Sequence, residues 1–142
     1  MKKISMFCGD FSWLSNFHPS KITVDGSQFP SVEHAFQAFK TDNEEWFNKI
    51  KKAFTAGQAK RFGRQCPLKS NWDDIKIDVM KKCLWAKFSQ NYELKNLLLN
   101  TGDVYLEEGN TWGDKFWGVV SGEGENNLGK LLMEVRQELR ND

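Results

Sequence analysis

Apolar positions along the chain recur with two spacings, and each predicts a different element. Ile22 and Val24 alternate with polar neighbours, and Asp25-Gly26 supplies the positive φ of a tight turn, so residues 21–29 read as a hairpin. From Ser31 onward the spacing becomes helical. Ser31 caps a helix to about Lys40, with Val32, Ala35, Phe36 and Phe39 on its buried stripe. Thr41-x-x-Glu44 is a capping box for a second helix that buries Trp46, Phe47, Ile50 and Phe54. Thr55-x-x-Gln58 opens a short third helix that Gly63 closes. A long fourth helix starts at Ser70 or Asn71 and runs to about Phe88, with Ile75, Val79, Met80, Cys83 and Leu84 inward. Residues 93–100 form a fifth, stopped at Gly102, and residues 104–106 a short strand. The last helix spans about 128–139 on Leu128, Leu131, Leu132, Val135 and Leu139, whereas residues 7–17 read as irregular or extended. The pattern is that of an α+β, predominantly helical chain with a small β hairpin, expected to form one compact domain over residues 1–142.

Residues 107–127 show no period and are rich in Gly, Asn, Trp and acidic side chains. A segment that long is functional or disordered, and Trp112, Phe116 and Trp117 argue against disorder. Charge is balanced at Lys+Arg 20 against Asp+Glu 19, so any nucleic-acid contact must come from a local basic patch rather than the bulk field. The longest apolar runs, such as Leu97-Leu98-Leu99, are too short for a membrane span, and the opening residues lack the apolar stretch of a secretory signal. Three scattered cysteines (Cys8, Cys66, Cys83) and two histidines (His18, His34), with no C-x-x-C, point to a reduced, cytoplasmic chain without a metal site. The 6 Trp and 11 Phe are many for so polar a sequence, enough either to fill the core or to line a cleft where flat ligands stack.

Four constellations could carry chemistry. Glu33, Gln37 and Lys40 fall at i, i+4 and i+7, on one helix face, where they either hold a polar ligand or form a solvated surface. Glu33 lies in the first turn, where the helix dipole favours its ionised form. Lys60-Arg61-Phe62-Gly63-Arg64, followed by Lys69, joins positive charge to a nearby helix N-terminus, with Lys60 and Arg64 on one face; it suits phosphate, or is a basic solvated helix. Trp72 just after that run either stacks on a base or packs in the core. Asp114, three residues before Trp117-Gly118, is a second carboxylate beside aromatic rings. Gly124-Glu-Asn-Asn-Leu-Gly129-Lys130 imitates a phosphate loop. It has Leu131 where magnesium needs a hydroxyl, and the flanking Glu123 and Glu125 repel phosphate.

Taken in order, Leu14-Ser-Asn-Phe17, Val24-Asp-Gly26, Phe29-Pro-Ser-Val-Glu-His-Ala-Phe-Gln-Ala-Phe-Lys40, Gly63-Arg64, Asn71-Trp72, Ala86-Lys-Phe88, Asp114-Lys-Phe-Trp-Gly118, Asn126-x-Leu-Gly129 and Leu132-Met133 resemble the YbiA-like, or NADAR, family over about residues 5–140. The resemblance implies a mainly helical fold with small β elements and cleavage of N-glycosidic bonds in ribosylated compounds. One branch is associated with phosphorylated riboflavin-pathway intermediates and another with ADP-ribose on guanine in DNA. It further implies that Glu33, Trp72 and Asp114 occupy catalytically important positions. On that reading Glu33 stabilises the sugar cation or activates water, Asp114 orients water or ribose hydroxyls, and Trp72 stacks on the base. Asn16, Gln37 and Asn126 bond sugar or base edges, Lys40, Lys60, Arg64 and Lys69 anchor phosphate, and Trp117 and Gly118 complete the substrate-binding set. No metal or cofactor is expected. The partner is a small ribosylated, phosphorylated substrate, with ADP-ribosylated nucleic acid or a non-catalytic ADP-ribose/NAD-binding role as alternatives. Lys69, where relatives often carry Arg, and Val119-Val120 after Trp117-Gly118 depart from the family pattern and bear on the ligand.

Overall fold

Along the chain run β1 (Lys3–Ile4), a 3-10 helix (Gly9–Leu14), β2 (Ile22–Val24), β3 (Ser27–Phe29), α1 (Val32–Ala38), α2 (Glu44–Lys51), α3 (Ala56–Gly63), α4 (Trp72–Gln90), α5 (Tyr92–Asn100), β4 (Tyr105–Leu106) and α6 (Asn127–Arg140). The computed structural model describes residues 2–142, and the fold is α+β, predominantly helical, with two sheets of two strands each. These residues fall into two compact units, the chain up to Ser15 with Tyr92–Asp142, and Asn16–Asn91.

In the unit Asn16–Asn91 the expected hairpin forms. Asp25 (φ 50°) and Gly26 (φ 83°) turn the chain, and Ile22 pairs with Phe29 in antiparallel register. That places Phe29 beside Phe39 and Phe47, with ring centroids 5.4 and 6.0 Å away. Ser31 caps α1 as its position predicts, its hydroxyl oxygen accepting from the His34 amide at 3.2 Å. All seven residues of α1 are buried, so the helix has no solvent face. The core of the unit gathers around it from Ile22, Val24, Phe29, Ile50, Met80, Cys83, Leu84 and Phe88.

Three details of α2 and α3 differ from expectation. The cap of α2 is Asn43, whose side-chain Oδ1 accepts from Trp46 N at 2.9 Å; the Thr41 hydroxyl instead accepts from Asn43 N, before the helix starts. Phe54, expected in the core, is 94% exposed, because α2 has already ended at Lys51 and the helical stripe no longer governs that residue. Gly63 does not leave α3 through a positive φ. It is the last residue of the helix, and a Cβ there would fall on the Gln37 amide, so glycine is required by the close approach of α3 to α1. In α4, Met80, Cys83 and Leu84 are buried as predicted, whereas Ile75 and Val79 are half-buried.

In the other unit, part of the stretch 7–17 expected to be irregular or extended forms the 3-10 helix (Gly9–Leu14), and β1 pairs in parallel with β4. The C-terminal helix buries Leu128, Leu131, Leu132, Val135 and Leu139 as its spacing predicts. Arg136, on the same helix, donates to Thr101 Oγ1 at 2.9 Å and to the Val104 carbonyl at 2.8 Å, tying α6 to the turn that leads into β4. Within the segment between β4 and α6, pairing is limited to single bridges, Gly109 with Val119 and Val120 with Glu123. No described helix is long and apolar enough to cross a membrane.

Lys87 of α4 is fully buried, its ammonium 5.0 Å from the Phe88 ring, and burial pushes its pKa down to about 7. His18 senses that charge and is itself held below the usual histidine range, by burial first and Lys87 second. The folded-state pKa of Lys87 thus lies below its unfolded value, so between pH 7 and about 10 the unfolded chain holds a proton that the folded chain lacks. Stability is therefore expected to rise with pH across that window, approaching about 1.4 kcal/mol per pH unit from this group, and to carry the full burial penalty below it. Urea unfolding from pH 6 to 10 should show that slope in the parent and lose it in Lys87→Met, which should also be the more stable protein at pH 6. Parallel curves for the two proteins would refute the assignment.

Candidate active site

The acidic residue of α1 is built into the helix rather than displayed on it. Its backbone N–H, one of the helix's unpaired first-turn donors, is taken by the Asn16 carbonyl at 3.1 Å. The Glu33 carboxylate is 7% exposed and accepts from Gln37 Nε2 at 2.6 Å, one helical turn later. Gln37 is 4% exposed, and its Oε1 has no ordinary hydrogen-bond donor; the same is true of Asn16 Oδ1, whose amide nitrogen donates to Met80 Sδ at 3.5 Å.

Lys40 completes the row. Burial holds its ammonium below the usual lysine range, against the pull of Glu33 and Cys66 and reinforced by the positive charges of Lys60 and Arg64. Spacing along α1 thus brings Glu33 and Gln37 together; the helix ends at Ala38 rather than near Lys40, yet Lys40, two residues beyond, stays within electrostatic reach of Glu33, Lys60 and Arg64. The Lys60 ammonium also lies 5.8 Å from the Phe17 ring. Lys69 is drawn in by its backbone, which donates to the Lys40 carbonyl at 2.7 Å, while its ammonium stands 3.9 Å from Asp42. Trp72 is 6% exposed and packs on Phe36 with ring centroids 5.1 Å apart, so its indole serves as core whatever else it does. The result is a buried carboxylate next to a group of cations, an arrangement that can stabilise developing positive charge at one end of a ligand and hold anionic oxygens at the other.

The remaining candidates belong to the other unit and are held by their own loop. Asp114 Oδ1 accepts from the amides of Phe116 (3.1 Å) and Trp117 (2.9 Å), an Asx turn that sets the bend before Trp117-Gly118. Asn110 braces the same loop, donating to the Asp114 carbonyl at 2.9 Å and accepting from the Asp114 amide at 3.0 Å. Trp117 meets Phe116 edge to face at 4.8 Å. Gly118 approaches Glu108 so closely that a Cβ would strike its carbonyl. Asn126, expected to bond substrate, is buried with a left-handed backbone (φ 52°); its side chain accepts from Glu108 N at 2.9 Å and donates to the Leu106 carbonyl at 3.0 Å, so its amide already serves the scaffold.

Sequence reasoning passed over His34 and Asn110. His34 Nε2 donates to the Ala53 carbonyl at 3.0 Å, which leaves Nδ1 to accept from the Ser31 hydroxyl at 2.8 Å; burial lowers its pKa, consistent with a neutral ring. The signal was present in the Ser31-x-x-His34 spacing, which lets the cap and the imidazole satisfy each other. Among the described residues, no group of three or more His, Cys, Asp or Glu side chains is arranged to hold a metal ion.

The NADAR domain description matches residues 6–140. N-glycosidase YbiA of Escherichia coli K12 is 43% identical over 133 residues, covering 92% of this chain and 82% of that protein. A riboflavin biosynthesis protein of Vibrio vulnificus is 42% identical over 131 residues, covering 90% of this chain but 35% of that longer protein. The NMR structure of Escherichia coli YbiA superposes with a TM-score of 0.85 at 38% identity, covering 99% of this chain and 90% of that one. A match carried by a domain description along nearly the whole chain, and by an experimental fold of the same architecture, makes this chain a member of the NADAR family.

Proposed function

We propose that this chain hydrolyses the N-glycosidic bond of ribosylated, phosphorylated base compounds of the riboflavin-pathway type, in the cytoplasm and as a single NADAR domain. The observation that carries the reading is the buried Glu33 carboxylate in the same electrostatic group as Lys40, Lys60 and Arg64. Relatives named as N-glycosidases, and longer ones named for riboflavin biosynthesis in Vibrio vulnificus and Zea mays, support it.

Breaking a ribose C1′–N bond places positive charge on the sugar, and a carboxylate near C1′ offsets it. Glu33 fills that role and takes a proton from the attacking water as its oxygen bonds to C1′. The C1′–N electron pair leaves with the base nitrogen, which is then protonated. Asp114 orients water or ribose hydroxyls, and Trp72, backed by Phe36, meets the base. Asn16, Trp117 and Gly118 shape the sugar and base contacts, while Asn126 braces the loop that carries Gly118. The cations, Lys69 included, grip phosphate and supply binding energy remote from the reacting bond. The scheme draws on no metal or cofactor.

A second reading, removal of ADP-ribose from guanine in nucleic acid, is favoured by one feature of the sequence. Residues 46–72 carry Lys49, Lys51, Lys52, Lys60, Arg61, Arg64 and Lys69 without a single carboxylate, which would suit a phosphate-rich partner. Offering the protein both substrate types and following released base and sugar by mass spectrometry separates the two. Binding without product in either arm would instead mark a ligand-binding module.

Glu33→Gln is expected to keep the thermal midpoint within a few degrees of the parent and to lower kcat by about 10²- to 10⁴-fold. Turnover at the parent rate would remove Glu33 from the chemistry. Replacing Lys60 and Arg64 together by Ala should raise KM about tenfold or more for a phosphorylated substrate, and far less for its dephosphorylated form; equal effects on the two forms would refute the phosphate grip. Trp72→Ala should cost roughly 3 kcal/mol of stability in urea unfolding, in addition to any loss of binding.

A further inference from the structure

Gln37 shares its helix face with Glu33, one turn away, and its spacing alone would make it one more ligand-facing group. Its surroundings say otherwise. The amide nitrogen is committed to the Glu33 carboxylate at 2.6 Å. The reverse amide orientation would set carbonyl oxygen against carboxylate oxygen, so an ionised Glu33 selects the one observed. The other end of the amide is then fixed as well: Oε1 points at Gly63 of α3, where a Cβ would coincide with it. No N–H or O–H reaches Oε1, which abuts the Cα of Gly63. A buried acceptor without an ordinary donor is a cost the fold would shed if the residue were there only to fill space.

We propose that Gln37 is a positioning residue for Glu33, clamped by Gly63, so that the packing of α3 on α1 sets the orientation of the carboxylate through an amide that does not touch substrate. The proposal rests on Glu33 being the reacting carboxylate. Lys40, just beyond the end of α1, and Cys83 on α4 also sense the Glu33 charge. Changing Gln37 removes neither of these groups, and Gly63→Ala acts from α3, the helix that also carries Lys60.

The test compares Gln37→Met, which keeps the length of the side chain and removes the donor, with Gly63→Ala, which leaves Gln37 in the chain but places a methyl group where its Oε1 lies. Both should lower kcat about ten- to a hundredfold, and Gln37→Met should do so with KM changed by less than about twofold, the signature of a displaced reacting group. Both should also move the acidic limb of the kcat/KM profile to higher pH by about half to one unit, because the ionised carboxylate loses a hydrogen-bond donor. If KM rises while kcat and the acidic limb stay put, Gln37 binds substrate and the proposal fails. A lower thermal midpoint with unchanged kinetics would make it a packing residue, and the proposal fails equally. Should Gly63→Ala not fold, Gln37→Met decides alone. Glu33→Gln, run in parallel, tells the two levels apart: its full activity would overturn the role of Glu33 itself, whereas an inactive Glu33→Gln beside an unaffected Gln37→Met would overturn only the positioning role.

Discussion

A helix with no solvent face must satisfy its polar side chains from within, and α1 carries three of them among its seven residues, Glu33, His34 and Gln37. Taking an ionised carboxylate out of water costs several kcal/mol even after relaxation. Here the offsets are local: the Gln37 amide one turn away, the charge of Lys40, and a first turn whose N–H groups are taken by Asn16 and Ser31. His34 discharges its own burden by bonding at both ring nitrogens, to Ser31 and Ala53. The aromatic packing of Phe29, Phe39 and Phe47 and the close approach of α3 at Gly63 follow from the same requirement, since each excludes water from one side of α1.

The unit made by the chain termini solves a different problem by similar means. Its long segment between β4 and α6 has little regular pairing, so side-chain amides and carboxylates take the place of backbone partners. Asn110 brackets Asp114, Asp114 closes its own turn, and Asn126 joins Glu108 to Leu106 across the start of α6. This explains why a stretch rich in Asn, Gly and acidic residues holds one conformation. It also shows that a polar side chain in such a loop is often fully occupied by the loop itself, as Asn126 is.

Much of the secondary structure was legible because its causes are short-ranged. The hairpin follows from Asp25-Gly26 and the alternation around it, the start of α1 from Ser31, and the buried stripe of α6 from its leucine spacing. Misreadings arose where two local signals competed or where the cause lay elsewhere in the fold. Thr41 and Asn43 are both good caps, and the chain uses the later one. Phe54 continues a helical stripe on paper, yet the helix has already ended. The role of Gly63 depends on Gln37, which is remote in sequence.

For the candidate site the division is the same. Residue identity and spacing alone determined that Glu33 and Gln37 share a face and that a basic run follows, because helical period and charge are properties of neighbours in the chain. Burial was decided only by tertiary structure. Nothing local distinguishes a solvated Glu-Gln-Lys face from one covered by α3, or a surface lysine from Lys87, because the dielectric around a side chain is set by what other segments bring to it.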